Sequence, residues 1–322
     1  MAATARWMTT AVAWIALLQP AAGRAEPVNI DGDPVAIEQI LATEPIKIVT
    51  AEISRPKAQG DITLKADVAF GDRAPFRVKL RKAMPGADSF NNMPRYDLAA
   101  YELQKLLLDP ADWVVPPTAL RMIPAPDLKP YAVVEPTFAK SDDVLSVVQY
   151  WLKDIKVIED VYDPAHFASD PVYAKHIGQL NVFTYLIGHR DSNAGNFLIS
   201  KETEGARVYS VDNGVAFLAP EADRGELWRD LRVDRLPAAT VERLRQITKE
   251  TLTSKLSVVA QWQLRDGHYV PVAPGPNIKA YRGVREKDGV VQMGLTTIEI
   301  SSVWRHCRDL VEQLDEGKIK TF

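Results

Sequence analysis

The chain has 322 residues, of which 46% are apolar and 25% are charged. These fractions are typical of a folded globular protein, and they exclude a disordered, collagen-like or coiled-coil chain. The formal charge is −3, from 39 basic and 42 acidic side chains, so we expect no nucleic-acid partner. The only cysteine is Cys307, so no internal disulfide can form.

Residues 1–25 have the pattern of a secretory signal peptide. Arg6 supplies a positive charge, the segment 7–18 is mostly apolar, and Gly23 and Ala25 are the small residues of a cleavage site. The alternative is an uncleaved membrane anchor, but the apolar run is shorter than the ~20 residues that a spanning helix needs. We therefore predict cleavage after Ala25, export to the periplasm or the cell exterior, and no transmembrane segment in the mature chain.

The first half of the mature chain contains strand patterns. Alternating apolar and polar residues predict strands over 62–70 and 76–82, with turn residues between them. In the second of these strands Lys79 and Arg81 share one face, and the apolar residues share the other. The other predicted elements are a short helix over 35–42, a helix over 95–108, an extended segment over 113–123 and a strand over 131–136.

The second half of the chain has mainly helical patterns. The predicted elements are a helix over 175–188, a polar loop over 189–199 that leads into a short strand, a strand within 207–217 that ends in Asp212-Asn213-Gly214, helices over 239–256 and 296–314, and a surface loop rich in proline and glycine over 269–283.

This order of elements predicts an α+β fold with two lobes. Strands come first and helices later, so we expect a small β-rich N-lobe over 26–152, which includes the long helix. A larger, mainly helical C-lobe would follow over 153–322.

The densest polar cluster of the chain lies around Asp191 and Asn196, with Asp212 following 16 residues later. A hairpin of the segments 197–200 and 208–211 would bring Asp212 back beside Asn196. Carboxylate and amide oxygens are the ligands that Mg²⁺ prefers, and Asp191 would remain to orient or deprotonate a hydroxyl. The alternative is that these residues only form turns, for which Asp, Asn and Gly are typical.

The residues around this cluster resemble the catalytic core of the protein-kinase-like fold. The loop HRDSNAGN (189–196) is similar to H-R-D-x-x-x-x-N, and VDNGVAF (211–217) stands where D-F-G would. The longer pattern FTYLIGHRDSNAGNFLI…VYSVDNGVAF is similar to that of the phosphatidylinositol 3/4-kinase-like, HipA-like and secretory-pathway (Golgi casein kinase type) atypical kinases. The segments YDLAAYELQKLLLDPADWVVPPT (96–118) and GLTTIEISSVWRHCRDLV (294–311) resemble further blocks of the same branch.

The resemblance implies a two-lobed protein-kinase-like fold that uses ATP and Mg²⁺. It implies that Asp191 orients or deprotonates an acceptor hydroxyl, and that Asn196 and Asp212 hold the metal. Asp97 falls where a helix glutamate pairs with a strand lysine, for which Lys79 is the first candidate and Lys82 the second.

The resemblance also implies, by position alone, a hinge near the adenine at Gln149, Tyr150 and Trp151. The acceptor would be a hydroxyl of a protein, a lipid or a sugar.

The chain departs from the pattern of these kinases in three places. The helix acid is Asp97 instead of Glu, Ser192 and Asn193 replace Arg-His, and the first strands lack G-x-G-x-x-G. Two alternatives therefore stay open, a pseudokinase that binds a ligand or a partner without catalysis, and an enzyme that transfers AMP instead of phosphate.

Overall fold

A computed structural model describes residues 28–54, 62–90, 92–218 and 225–322. The predicted signal peptide, 1–25, lies outside these residues. Within the described part of the chain, no helix combines the length and the apolar character that crossing a bilayer requires.

A five-stranded antiparallel sheet forms the first half of the fold, in the order β1-β2-β3-β5-β4. Its elements along the chain are α1 (Pro34–Thr43), β1 (Ile46–Ile53), β2 (Thr63–Phe70), β3 (Phe76–Lys82), α2 (Pro94–Leu107), β4 (Thr118–Pro124), α3 (Ala125–Leu128) and β5 (Asp143–Tyr150). The strands predicted over 62–70 and 76–82 and the helix predicted over 95–108 are therefore confirmed, each within one residue at either end.

The two faces of this sheet are covered by different helices. Apolar residues of one face, such as Val78 and Leu80, pack in the clusters that contain residues of α1 and α3. On the other face, Leu120 and Val147 belong to the main core, which also contains the buried side of α2. Lys79 and Arg81 lie on this second face, because side chains alternate along a strand.

The strand predicted over 131–136 is wrong. After the short helix α3 the backbone turns, since the amide of Tyr131 donates to the carbonyl of Leu128 at 2.9 Å. The fifth strand is β5, every residue of which is buried and which pairs with both β3 and β4. An interior strand of this kind is continuously buried, so its sequence has no alternation that would reveal it.

The chain after residue 152 contains both helices and small sheets. Its helices are α4 (Pro164–Ser169), α5 (Pro171–Ile187), α6 (Ala238–Gln246), α7 (Lys249–Leu256) and α8 (Thr297–Asp315). Its strands are β6 (Ile155–Lys156), β7 (Phe197–Ser200), β8 (Val208–Ser210), β9 (Arg235–Leu236), β10 (Ala260–Arg265), β11 (His268–Pro271), β12 (Val284–Lys287), β13 (Val290–Met293) and β14 (Lys320–Thr321).

The helices predicted for this half are present, with one division. The segment 239–256 forms two helices, because the backbone is extended at Ile247 and Thr248, and the Thr248 hydroxyl caps the start of α7. A four-stranded sheet in the order β11-β10-β13-β12 occupies much of the region between α7 and α8, where we had predicted only a loop over 269–283. The whole described fold is α+β, as predicted.

Candidate functional site

The hairpin predicted to join Asn196 and Asp212 is present. β7 and β8 pair antiparallel, with Phe197 opposite Ser210. Just beyond this pair, the amide of Val211 donates to the carbonyl of Asn196 at 2.9 Å. The two predicted metal ligands therefore lie at the same end of one hairpin, although 16 residues separate them in the sequence.

The loop before the hairpin places Asp191 beside Asn196. The Asn196 Nδ2 atom donates to the backbone carbonyl of Asp191 at 2.9 Å, so the oxygen side of the amide faces away from that carbonyl. The Asp191 carboxylate is buried and accepts a hydrogen bond from the side-chain amide of Asn193. Asp191, Asn196 and Asp212 thus form one connected group.

A buried histidine accepts a hydrogen bond from the backbone of this loop. His189 is fully buried, and its Nδ1 atom accepts the backbone amide of Asp191 at 3.3 Å. Burial lowers the pKa of His189 to about 4, and the charge of Asp212 opposes this shift without cancelling it. The ring is therefore neutral at neutral pH and acts as a hydrogen-bond acceptor for the loop, not as a cation.

Strand β3 brings two cations to Asp212. The Lys79 Nζ atom lies 3.5 Å from Asp212 Oδ2 and donates to the carbonyl of Val211 at 3.3 Å. The Arg81 Nη1 atom donates to Asp212 Oδ1 at 2.6 Å. Each oxygen of the Asp212 carboxylate therefore has a cationic partner on the same face of one strand.

The partner of the helix acid differs from the predicted one. Asp97, on α2, forms its ion pair with Arg81 Nη2 and not with Lys79 or Lys82. Its other oxygen accepts the backbone amide of Asn213 at 3.1 Å. Lys82 is on the opposite face of β3, beside Leu80, because side chains alternate along the strand.

Arg81 is a residue of this candidate site that the sequence analysis did not select. The alternation along 76–82 already placed it on the same face as Lys79. The resemblance directed attention to lysines, however, and an arginine at this position has no place in that pattern. Only the packing of α2 against the sheet shows that Arg81 reaches Asp97.

The predicted hinge residues lie on different faces. Gln149 is buried directly opposite Lys79 in the sheet register and donates to Thr118 Oγ1 at 2.9 Å. Tyr150 lies on the opposite face, where it packs near Phe76 and its hydroxyl accepts the amide of Asp31. The structure therefore places Tyr150 away from Lys79.

Trp151 lies on the same face of the sheet as Lys79. The Nζ atom of Lys65 is 5.6 Å from the centre of the Trp151 ring, and Lys65 is the register partner of Lys79 on β2. Two lysines, a glutamine and a tryptophan thus surround one area of the sheet.

The donors near Asp212 fit a magnesium ion that arrives with phosphate. In residues 28–54, 62–90, 92–218 and 225–322, no group of three or more His, Cys, Asp or Glu side chains is placed to hold a metal. Mg²⁺ usually binds through one or two carboxylates plus substrate phosphates, and Asp212 with the amide oxygen of Asn196 supplies donors of that kind. These two residues could therefore hold a magnesium ion that is also bound to phosphate.

No protein-family model matches the chain, and no curated protein matches it.

Proposed function

We propose that this chain is an exported, kinase-like phosphotransferase that uses Mg²⁺ and ATP and transfers phosphate to a hydroxyl of a protein, a lipid or a sugar. The observation that carries the proposal is the convergence of Lys79 and Asp212 from separate elements, with Asp191 joined to them through Asn196. Phosphoryl transfer requires positioning and charge stabilisation of this kind, and little covalent chemistry from the protein.

The order of elements supports the same proposal. The strand that bears Lys79 is followed by a helix that bears an acid, Asp97, and the two elements are joined by an ion pair. Protein kinases likewise place a lysine on their third strand and an acid on the helix that follows.

Each residue would have a defined task in the reaction. Lys79 would contact the phosphates, and Asp212 with Asn196 would hold Mg²⁺, which when bound neutralises charge on the phosphate oxygens. Asp191 would accept the proton of the acceptor hydroxyl while the new bond between that oxygen and the γ-phosphorus forms. The bond between the γ-phosphorus and the bridging oxygen breaks at the same time, and ADP leaves.

One observation favours the second candidate, a pseudokinase that binds a ligand or partner without catalysis. Both oxygens of Asp212 are already paired with cations, Lys79 and Arg81, where an enzyme needs a metal. Under the first proposal Lys79 moves to the phosphates and exposes one oxygen. Under the second the two cations keep Asp212 occupied.

Nucleotide binding to the mature protein separates the two candidates. A ligand that binds only the native state raises the apparent melting temperature. We expect ATP to raise it when Mg²⁺ is present, and Asp212→Asn to abolish both this Mg²⁺-dependent rise and the transfer of phosphate. The matched control is Asp230→Asn, because the Asp230 side chain is 76% exposed.

Three outcomes would count against the proposal in different ways. No rise at millimolar nucleotide supports the pseudokinase, and undiminished transfer by Asp212→Asn rejects the metal role of Asp212. Mass spectrometry of a labelled acceptor that gains AMP instead of phosphate would reject phosphate transfer in favour of AMP transfer.

A further inference from the structure

Arg81 joins two acids that belong to separate elements. Its side chain is only 2% exposed, and its two terminal nitrogens bind Asp97 on α2 and Asp212 after β8. A guanidinium has a rigid fork of donors and can hold two carboxylates at once, whereas an ammonium is a compact point charge. This bridge is therefore a property of arginine that lysine cannot reproduce.

The side chains of Asp97 and Arg81 are matched in length. Asp97 is one methylene shorter than the glutamate usual at this position of the helix, and arginine reaches further than lysine. The helix acid and its strand partner have both changed relative to the lysine–glutamate pair of the kinase pattern. As a result, Asp97 pairs with Arg81, while Lys79 contacts Asp212 and the carbonyl of Val211.

The two residues after Asp212 also pack against Arg81 and Asp97. Asp97 also accepts the backbone amide of Asn213, so the helix holds the residue next to Asp212 directly. A Cβ atom on Gly214 would lie 2.9 Å from Arg81 Nη2, so the absence of a side chain there leaves room for the guanidinium. Asp212 is thus fixed through its carboxylate and through the backbone that follows it.

The bridge leaves one donor of Arg81 unused and one acid partly exposed. The Arg81 Nε atom is buried, and it has no hydrogen-bond partner among the described residues. A buried donor without a partner costs free energy. The other end of the bridge, Asp212, remains 29% exposed and accessible to a ligand.

We propose that Arg81 is a positioning residue, which orients the Asp212 carboxylate for Mg²⁺ and assigns Lys79 to the nucleotide phosphates. This inference rests on the proposed function. It predicts that breaking the contact between Arg81 and Asp212 raises the Mg²⁺ concentration needed for ATP binding, even when the pair with α2 is kept.

The experiment uses Arg81→Lys and the double variant Arg81→Lys with Asp97→Glu. The double variant restores a lysine–glutamate pair to α2, but one ammonium cannot hold Asp212 as well. Two quantities are measured: the free energy of unfolding without ligand, and the Mg²⁺ concentration for the half-maximal rise in melting temperature with ATP. Arg77→Lys is the matched control, because Arg77 lies on the same face of β3 but pairs at the surface with Asp67.

We expect Arg81→Lys to lower stability and to raise the Mg²⁺ requirement about tenfold, the size of effect typical for residues that orient a metal ligand. The double variant should regain most of the stability and keep the raised requirement. Should Arg81→Lys fail to fold, Arg81→Gln with Asp97→Asn replaces the ion pair by neutral amides, and the same rise is expected.

A wild-type Mg²⁺ requirement in a folded variant that lacks Arg81 would overturn the positioning role while the proposed function stands. Absence of any Mg²⁺-ATP response in the unsubstituted protein would instead overturn the proposed function, and the positioning role with it.

Discussion

The first two turns of α2 carry two ion clusters that differ in how completely the buried arginine of each is hydrogen-bonded. We define the Arg81 cluster as Arg81, Asp97 and Asp212. The Arg95 cluster comprises Arg95, Asp88 and Glu299, together with the Tyr96 hydroxyl and the Gly294 carbonyl. Both clusters bury a guanidinium against a glycine, Gly214 in the first and Gly283 in the second.

The Arg95 cluster is closed around its arginine, although Asp88 Oδ1 is buried and has no hydrogen-bond partner among the described residues. Every side-chain nitrogen of Arg95 donates to an acceptor, and Glu299 also caps the start of α8 through the Thr296 amide. Burial alone would raise the pKa of Glu299, but the hydrogen bonds and charge of Arg95, with the Thr296 amide and the Tyr96 hydroxyl, together outweigh burial and lower this pKa. The cluster therefore holds a charged carboxylate that ties α2 to α8.

The Arg81 cluster is open at one end. One nitrogen of Arg81 lacks a partner among the described residues, and Asp212 is partly exposed. The difference indicates that two similar buried arginines serve different ends. The closed cluster ties α2 to α8, and under the proposed function the open one presents the Asp212 carboxylate.

The largest effect that we expect comes from the closed cluster. Glu299→Gln keeps a residue that can cap α8 but removes the charge that compensates buried Arg95. Breaking a buried ion pair on one side should cost about 3 kcal/mol of unfolding free energy, measured by urea denaturation. The control, Asp67→Asn in the exposed pair with Arg77, should cost less than about 1 kcal/mol.

The structural role of the closed cluster would be contradicted if Glu299→Gln lowered the unfolding free energy no more than the control. The comparison would also fail if Glu299→Gln changed the Mg²⁺ requirement for ATP binding, since the closed cluster would then act on the site.

A second effect concerns His189, the buried histidine beside Asp191. The pKa of His189 is about 4 in the fold and about 6.5 when unfolded, so the unfolded state binds the proton first as the pH falls. The contribution of His189 to the free energy of unfolding, roughly 3 kcal/mol, is therefore complete above about pH 6.5. It is lost progressively as the pH falls to about 4. The measurement is urea unfolding across this range for the unsubstituted protein and for His189→Asn.

His189→Asn should remove most of this pH dependence. A matched control with the opposite sign is His268, whose pKa is raised by its hydrogen bond to buried Asp143. Its contribution to stability is present below the unfolded pKa and is lost as the pH rises through the raised value. An unchanged acid slope in His189→Asn would contradict the buried, neutral state of that ring.

The smallest effect on stability should come from Gly214→Ala. The added Cβ would press on the Arg81 guanidinium, which can shift slightly, so we expect a loss of about 1 kcal/mol. The displaced guanidinium should nevertheless weaken the ATP-induced rise in melting temperature. Gly275→Ala is the control, because the added Cβ would come no closer than 3.4 Å to the Gln261 side chain, which is an ordinary van der Waals contact.

A Gly214→Ala variant with the full ATP response would show that the open cluster tolerates displacement, and would remove the distinction between the two clusters.

Local patterns were sufficient for the elements that carry the site. The alternation of β2 and β3, the amphipathic α2 and the turn residues between β7 and β8 all act over a few neighbouring residues. The four-stranded sheet of β10 to β13 was missed although part of its signal is local. Two of its pairings are hairpins with the two-residue turns Asp266-Gly267 and Asp288-Gly289, which are typical hairpin turns. Its strands have only four to six residues, too few for a clear alternation, and only the pairing of β10 with β13 joins distant segments.

Local patterns were enough to predict an α+β chain in which Asn196 and Asp212 meet at one end of a hairpin, because strand alternation and turn chemistry act over neighbouring residues. Packing in three dimensions was needed to show that Arg81, and not Lys79, pairs with Asp97, and that Lys79 instead contacts Asp212. Those outcomes depend on how α2 and the 211–214 segment pack against the sheet, and residues far apart in the chain set that packing.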